Sequence, residues 1–182
     1  MNEVILNQIR ESIRKNWGKV QPFRKLPKNH FNCYMFAVCS TVPTEILRSD
    51  GFLESVIGEE KTYFSSIGNF SGTTYHNSAE LKQALLNDLE TLGITAEEVF
   101  TSYTPSIFDR KSVLIAFYSN YIPGMFKHHE QFHFLRYIPS QKEWMGKEGY
   151  PGGFQNLGRK ARISDINVIH QNLIGVFKLH LK

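Results

Sequence analysis

The apolar residues of this chain follow a helical spacing in two segments. Between residues 2 and 17, isoleucine and tryptophan recur at every fourth position, which predicts an amphipathic helix that ends at Gly18. From residue 78 to residue 92, leucine and alanine form a second apolar stripe, with Ser78 placed to cap the helix and Gly93 placed to end it. Both segments therefore predict helices that bury one face against a core.

Three shorter segments predict further helices. Asn32 can accept a hydrogen bond from a first-turn amide, so a helix is expected to begin near Cys33. Residues 44–60 are expected to hold one or two short helices. A capping-box pattern that begins at Thr95 predicts a short helix over about residues 96–101.

The second half of the chain is richer in β-branched and aromatic residues, which favour strands. Strands are expected at Ser112–Tyr121, Gln131–Ile138, Glu143–Met145 and Leu173–Leu181, with a glycine-rich turn region over residues 146–158. Helices that precede antiparallel strands predict an α+β fold, with the helices packed on an antiparallel sheet of roughly four to six strands. We expect one domain over residues 1–182, in which the helix at 2–17 packs onto or precedes a core of about residues 29–182.

The charge pattern is mildly basic. Lysine and arginine together number 21 and aspartate and glutamate 17, which gives a formal net charge of +4. Because the basic residues are spread along the chain, this excess falls short of a nucleic-acid-binding surface. The basic residues around the glycine-rich stretch are expected to be solvated surface, namely Lys142, Lys147, Arg159, Lys160 and Arg162.

The compartment is predicted from two features. No apolar stretch approaches the roughly 18 residues of a membrane helix, and the N-terminal residues lack the basic start and long apolar run of a signal peptide. Cys33 and Cys39 would lie about 9 Å apart on one helix, beyond the roughly 7 Å that a disulfide can span. We therefore expect no membrane contact, two free thiols and a cytoplasmic location.

Cys33 and His133 are the residues whose context best suits catalysis. Cys33 follows polar residues and precedes an apolar helix, and a helix N-terminus stabilises a thiolate. In the strand that carries His133, Phe132 and Phe134 point to one face and His133 to the other. A thiol beside an imidazole can act as a nucleophile with its general base. The structural alternatives are a buried cysteine and a half-exposed strand histidine.

Four motifs also occur in a recurring order. They are Asn-Cys-Tyr at residues 32–34, Asp-Leu-x-x-Leu-Gly at 88–93, Phe-His-Phe-x-Arg-Tyr at 132–137 and a tryptophan in a hairpin at 144. This order resembles that of a family of small bacterial and phage proteins with a papain-like, NlpC/P60-type cysteine-peptidase arrangement. The resemblance covers about residues 29–158 and implies a helix that the cysteine opens, packed on an antiparallel sheet whose strand carries the histidine.

The resemblance also implies an activity. Cys33 would be the nucleophile and His133 its base in the hydrolysis of an amide or isopeptide bond of a protein or peptide, with no cofactor. Peptidase, amidase, deamidase and acyltransferase reactions use the same pair of groups. The reaction within this class therefore stays open.

The remaining catalytic groups are less well defined. After Trp144 the chain reads Met-Gly-Lys-Glu-Gly, where the family pattern has Ser-His-Lys-Pro-Gly. The group that orients the imidazole is therefore one of three: Glu148, Asn156 or Asp165. For the oxyanion, the Cys33 amide would act with one nearby side chain, that of Asn29, His30 or Asn32.

Two other functions compete with hydrolysis by a cysteine. A papain-like scaffold without an activated thiol could serve as a catalytically inactive protein-binding module. Residues 129–133 also match His-Glu-x-x-His, in which a helix places both histidines on one face to bind zinc. A strand at this position would lose that geometry, and no convincing third ligand follows. The sequence leaves the oligomeric state and the substrate open.

Overall fold

The order of helices and strands follows the predicted change from helical to strand-rich sequence. The structure is a computed structural model that describes residues 2–26, 31–41, 53–57, 60–64, 66–103, 111–119, 132–147, 153–157, 163 and 172–182. Its helices are α1 (Glu3–Asn16), α2 (Gln21–Arg24), α3 (Cys33–Ala37) and α4 (Ser78–Thr91). Its strands are β1 (Leu53–Ile57), β2 (Glu60–Phe64), β3 (Ile94–Val99), β4 (Ser112–Ser119), β5 (Phe132–Ile138), β6 (Glu143–Lys147), β7 (Phe154–Asn156) and β8 (Asn172–Leu181).

Six of these strands form one antiparallel sheet. Its order is β3-β8-β4-β5-β6-β7, while β1 and β2 pair separately as a hairpin. Every neighbouring pair in the larger sheet is antiparallel. The predicted α+β class with an antiparallel sheet is therefore confirmed.

The predicted helix ends are largely correct. Asn2 caps α1 by accepting a hydrogen bond from the Val4 amide at 2.9 Å, and Gly18 follows the helix with a φ of 67° that only glycine adopts readily. In α4 the cap is Asn77, one residue before the predicted Ser78. The stripe that predicted α4 is buried at Leu81, Leu85 and Leu89. In α1, Ile9 and Ile13 are buried as predicted, whereas Ile5 and Trp17 are only partly buried and Leu6, outside the predicted spacing of four, is buried.

One helix prediction is wrong, and a second is wrong in the part that the structure describes. Residues 94–99 form the edge strand β3, because all six pair with β8, and this long-range pairing outweighs the local capping-box pattern. Within 44–60, residues 53–57 form strand β1 and residue 60 begins strand β2, where short helices were expected. The remaining residues of this segment lie outside the described residues. The glycine-rich region also contains the short strand β7.

The larger sheet buries both of its faces. On the first face the aromatic and aliphatic side chains pack with α1, α3 and α4, and they include Val113, Ile115, Phe117, Phe134, Met145 and Phe177. On the second face a separate cluster contains Leu114, Ala116, Tyr118, Leu135, Tyr137, Trp144 and Val176. Because side chains alternate along a strand, neighbouring residues of β5 belong to opposite faces.

The structure bears on two further predictions. Both cysteines are free, as predicted from their spacing, and both are buried. Within the described ranges, no helix has the length and apolar character needed to cross a membrane.

Candidate functional site

Cys33 is the first residue of α3, as predicted. The side chain of Asn32 accepts a hydrogen bond from the Met35 amide at 2.9 Å, so it satisfies one of the free donors at the start of the helix. The helix then packs on the first face through Tyr34, whose ring stacks on that of Phe134 with centroids 5.4 Å apart. This packing brings Cys33 against β5.

The thiol of Cys33 is buried in this contact. Cys33 is 7% exposed, and its Sγ atom lies 3.8 Å from the backbone oxygen of Phe132. Burial raises the pKa of Cys33 to about 11, although the Phe134 backbone and the charge of Lys147 act in the opposite direction. The group is therefore a protonated thiol at neutral pH.

His133 is directed to the second face of the sheet. It lies opposite Tyr118 of the neighbouring strand and is half-buried. Its Nε2 atom lies over Gly146, because a Cβ built on that glycine would come within 2.9 Å of Nε2 and of Leu135. The glycine thus leaves the space that the imidazole occupies.

The structure does not bring the Cys33 thiol and the His133 imidazole together. Cys33 packs with Phe134 in the first-face cluster, while His133 shares the second face with Leu135. The physical reason is the alternation of side chains in β5, since α3 packs on the face of the phenylalanines. The expected catalytic pair is therefore not assembled in this structure.

The other predicted site residues add little to this site. Asn32 uses its side-chain oxygen as the cap of α3, so that oxygen is engaged at the helix start. Asn156 lies in β7, where its backbone pairs with Met145. The remaining candidates lie outside the described residues: Asn29, His30, Glu148 and Asp165.

Lys147 was expected on the surface, and this prediction is wrong. The residue is 1% exposed, and its Nζ atom lies 5.4 Å from the centroid of the Phe31 ring. As the last residue of β6, it shares the first face with Met145, two positions earlier. Because side chains alternate along a strand, a buried residue at 145 implies a buried residue at 147, and this pattern was the sequence signal for the burial of Lys147.

A buried carboxylate fixes the position of α3. The carboxylate of Asp88 accepts hydrogen bonds from the Tyr34 hydroxyl at 2.8 Å, from the Gly68 amide at 2.7 Å, and from the amide and hydroxyl of Ser71, both at 2.7 Å. Burial raises the pKa of Asp88, and these donors act against that rise. An aspartate on the buried side of the leucine stripe was the signal for this role.

Arg136 holds the other end of α3. Its guanidinium donates to the carbonyl oxygens of Phe36 and Lys19, each at 2.8 Å, and to Sγ of Cys39 at 3.0 Å. It also lies 3.9 Å from the centroid of the Phe36 ring, a cation–π geometry. Asp88 and Arg136 thus tie α3 to its surroundings from both ends.

The zinc hypothesis finds little support in the described part of the chain. There, no group of three or more histidine, cysteine or acidic side chains is placed to hold a metal ion. His133 lies in a strand, as predicted, and a strand cannot give the helical spacing that the zinc motif requires. The first two motif residues, His129 and Glu130, lie outside the described residues.

Comparison with known proteins adds no relative on which to base a function. The chain matches no protein-family model, no curated protein and no solved structure. The resemblance to papain-like peptidases therefore rests on the four sequence motifs. Any function must be argued from the side chains themselves.

Proposed function

We propose that this chain uses a papain-like α+β scaffold as a protein-binding module in which Cys33 is not a nucleophile. The observation that carries the proposal is the state of the Cys33 thiol, which is buried, has a pKa raised to about 11, and lies across the sheet from the His133 imidazole. A nucleophilic cysteine instead needs a stabilised thiolate and a base within hydrogen-bonding reach.

The size of this effect can be estimated. With a pKa of about 11, about one Cys33 thiol in 10,000 is ionised at pH 7. An ordinary thiol with a pKa of about 8.5 is ionised at the level of a few per cent at that pH. The fold thus suppresses the reactive form of Cys33, while Asp88 and Arg136 keep its helix in place.

Hydrolysis by Cys33 is the second candidate function. The observation that favours it is that Cys33 begins a capped helix, and that its Sγ contacts the backbone of the strand that carries His133. In this case Cys33 would attack an amide carbonyl and His133 would take and return the proton. The imidazole would first have to move to the side of the sheet on which the thiol lies.

One experiment separates the two functions. The rate at which iodoacetamide alkylates Cys33 is measured from pH 6 to pH 11 by peptide mass spectrometry, in the wild type and in His133→Ala. Cys39, which is fully buried, serves as the internal control, and unfolded protein gives the intrinsic rate of both thiols. For a binding module, we expect Cys33 to react slowly at neutral pH, faster toward pH 11, and equally in both proteins.

The opposite result would reverse the order of the proposals. If Cys33 reacts well below pH 8.5 and His133→Ala removes this reactivity, a thiolate–imidazolium pair exists in solution. Hydrolase activity would then become the leading hypothesis, and a screen of peptide substrates would follow.

A further inference from the structure

A groove of about 630 Å³ lies between α1, α2 and Thr41. The residues of α1 that line it run from Gln8 to Asn16 with the spacing of one helix face. At a rise of about 1.5 Å per residue, this part of α1 is about 12 Å long. An extended peptide covers that distance with about four residues, at about 3.3 Å each. The groove therefore has the size of a binding site for a short peptide segment.

The groove is positively charged. Lys15, Lys19 and Lys25 line it and are exposed, whereas Glu11 is the one acidic residue among the lining residues that the structure describes. Between Glu11 and Glu45 the sequence contains six lysine and arginine residues and no acidic residue. Within the described ranges the ion pairs involve other side chains, and the Lys19 Nζ atom donates to the carbonyl oxygen of Lys15 at 2.8 Å. The amines of Lys15 and Lys25 therefore have no carboxylate of the described chain to neutralise them.

The most buried lining residues add a hydroxyl donor to these amines. The side-chain amide of Asn16, a residue that is 5% exposed, donates to Thr41 Oγ1 at 2.6 Å and to Ser12 Oγ at 3.4 Å. The two hydroxyl oxygens lie 3.1 Å apart, so one of these hydroxyls donates to the other. The second hydroxyl proton then has no acceptor in the part of the chain that the structure describes. The groove thus offers an ammonium-rich wall and a free hydroxyl proton, and both suit a ligand that carries carboxylates.

We propose that this groove binds an acidic, extended segment of a partner polypeptide. The proposal rests on the protein-binding function and names the chemistry of the partner. Aspartate or glutamate side chains of the segment would lie beside Lys15 and Lys25, which complement their charge. A nucleic acid fits this groove less well, because none of its described lining residues is aromatic and single-stranded bases are bound mainly by aromatic stacking.

Peptide binding to the full-length protein tests this proposal. The probe is a fluorescein-labelled peptide with four consecutive aspartates between glycines, and binding is followed by fluorescence anisotropy at about 0.15 M salt, where charges are screened beyond about 8 Å. The matched comparison has asparagine in place of each aspartate, so that only the charge differs. We expect the aspartate peptide to bind at least about tenfold more tightly, because several charge-assisted contacts are lost together in the other.

Two double substitutions then assign the binding to the groove. Lys15→Gln combined with Lys25→Gln removes two lining amines, and we expect it to weaken binding of the aspartate peptide about fivefold. Arg14→Gln combined with Arg24→Gln removes the same charge from the adjacent positions, which are equally exposed and do not line the groove, so the loss should stay below about twofold. Glu11→Gln removes the acidic lining residue and should strengthen binding about twofold. All five side chains are exposed, so each variant is expected to fold.

Three outcomes would overturn the proposal. Equal binding of the aspartate and asparagine peptides would show that the groove does not select carboxylates. Equal losses in the two double variants would show a general attraction to a basic surface and no role for the groove. Tighter binding of a single-stranded oligothymidylate than of the aspartate peptide would identify the partner as a nucleic acid. Failure here with an inert Cys33 would leave the binding-module function standing, whereas a reactive Cys33 paired with His133 would remove that function itself.

Discussion

The buried polar groups on the two faces of the six-stranded sheet differ in how fully they are hydrogen-bonded. On the side of the first face, the Asp88 carboxylate and the Arg136 guanidinium are held by short hydrogen bonds that fix α3. On the second face, the Tyr118 hydroxyl and the Trp144 Nε1 atom are buried, and the described part of the chain offers neither a hydrogen-bond partner. The Arg136 Nε atom on the first-face side also lacks a partner in the described chain, but the other atoms of that guanidinium and the Asp88 carboxylate are bonded. The polar groups on the first-face side therefore add specificity, while the two on the second face cost free energy.

This difference also explains the position of the two candidate catalytic residues. Cys33 belongs to the face that is fixed by hydrogen bonds, and its thiol is buried there, away from the His133 imidazole. His133 belongs to the other face, above Gly146. Substitutions on one face at a time test whether Cys33 and His133 lie in independent parts of the core.

The largest effect is expected when the carboxylate on the first-face side is removed. Asp88→Ala leaves the Tyr34 hydroxyl and the donors of residues 68 and 71 buried without their acceptor, which should lower the free energy of unfolding by about 3 kcal/mol or more. Asn87→Ala, at the neighbouring position, removes a side chain that bonds to the exposed Gln83 and the half-buried Thr73, and it should cost less than about 1 kcal/mol. Urea unfolding measures both, and equal losses would contradict the assigned role of Asp88.

A pair of matched substitutions compares the faces directly. Tyr34→Phe removes a hydroxyl that donates to Asp88 at 2.8 Å and should cost about 1–2 kcal/mol. Tyr118→Phe removes a buried hydroxyl that has no partner in the described chain, so stability should be unchanged or slightly higher. Thermal unfolding of both variants checks this, and a loss in Tyr118→Phe as large as that in Tyr34→Phe would show that the second face has a polar partner in solution.

A smaller effect should appear at the glycine beneath the imidazole. Gly146→Ala places a methyl group against Nε2 of His133 and the end of Leu135, which should cost about 1 kcal/mol and shift the imidazole NMR signals. Met145→Leu, one residue earlier and on the first face, is the control and should leave those signals in place. If only Met145→Leu moves them, His133 lies on the first face with Cys33.

The sequence predicted most elements of the fold, because their signals are local. The leucine stripe of α4, the Asn32 cap and the aromatic strand around His133 each depend on neighbours within a few residues. The strand β3 was missed because its identity depends on pairing with β8, about 80 residues later in the chain. A local pattern carries no information about such a partner.

The site was harder to predict for a related reason. The alternation of side chains correctly predicted that His133 lies on the other face of the strand from Phe132 and Phe134. It did not predict on which of the two faces α3 would pack. That choice is made by Tyr34, whose ring stacks on Phe134 and whose hydroxyl reaches Asp88. The environment of the Cys33 thiol thus depends on tertiary contacts that no motif around it encodes.

The last effect is absent at neutral pH and concerns the pH dependence that the buried thiol gives the first face. Because the pKa of Cys33 is raised from 9.0 to about 11 in the folded chain, its contribution to stability is complete below pH 9 and is lost as the pH rises toward 11. At pH 10 this loss amounts to about 1.4 kcal/mol. Cys33→Ala should remove that part of the alkaline destabilisation, whatever it costs at neutral pH.

Urea unfolding at pH 8 and at pH 10 measures this loss within each protein, so the effect of the substitution itself cancels. The pH range matters, because Tyr118 on the second face, whose pKa is raised to about 12, begins to contribute only above its ordinary value of 10. If the wild type and Cys33→Ala lose the same stability between pH 8 and pH 10, the thiol is not buried as described. The nucleophilic role of Cys33 would then regain support, because an accessible thiol against the strand of His133 is what hydrolysis requires.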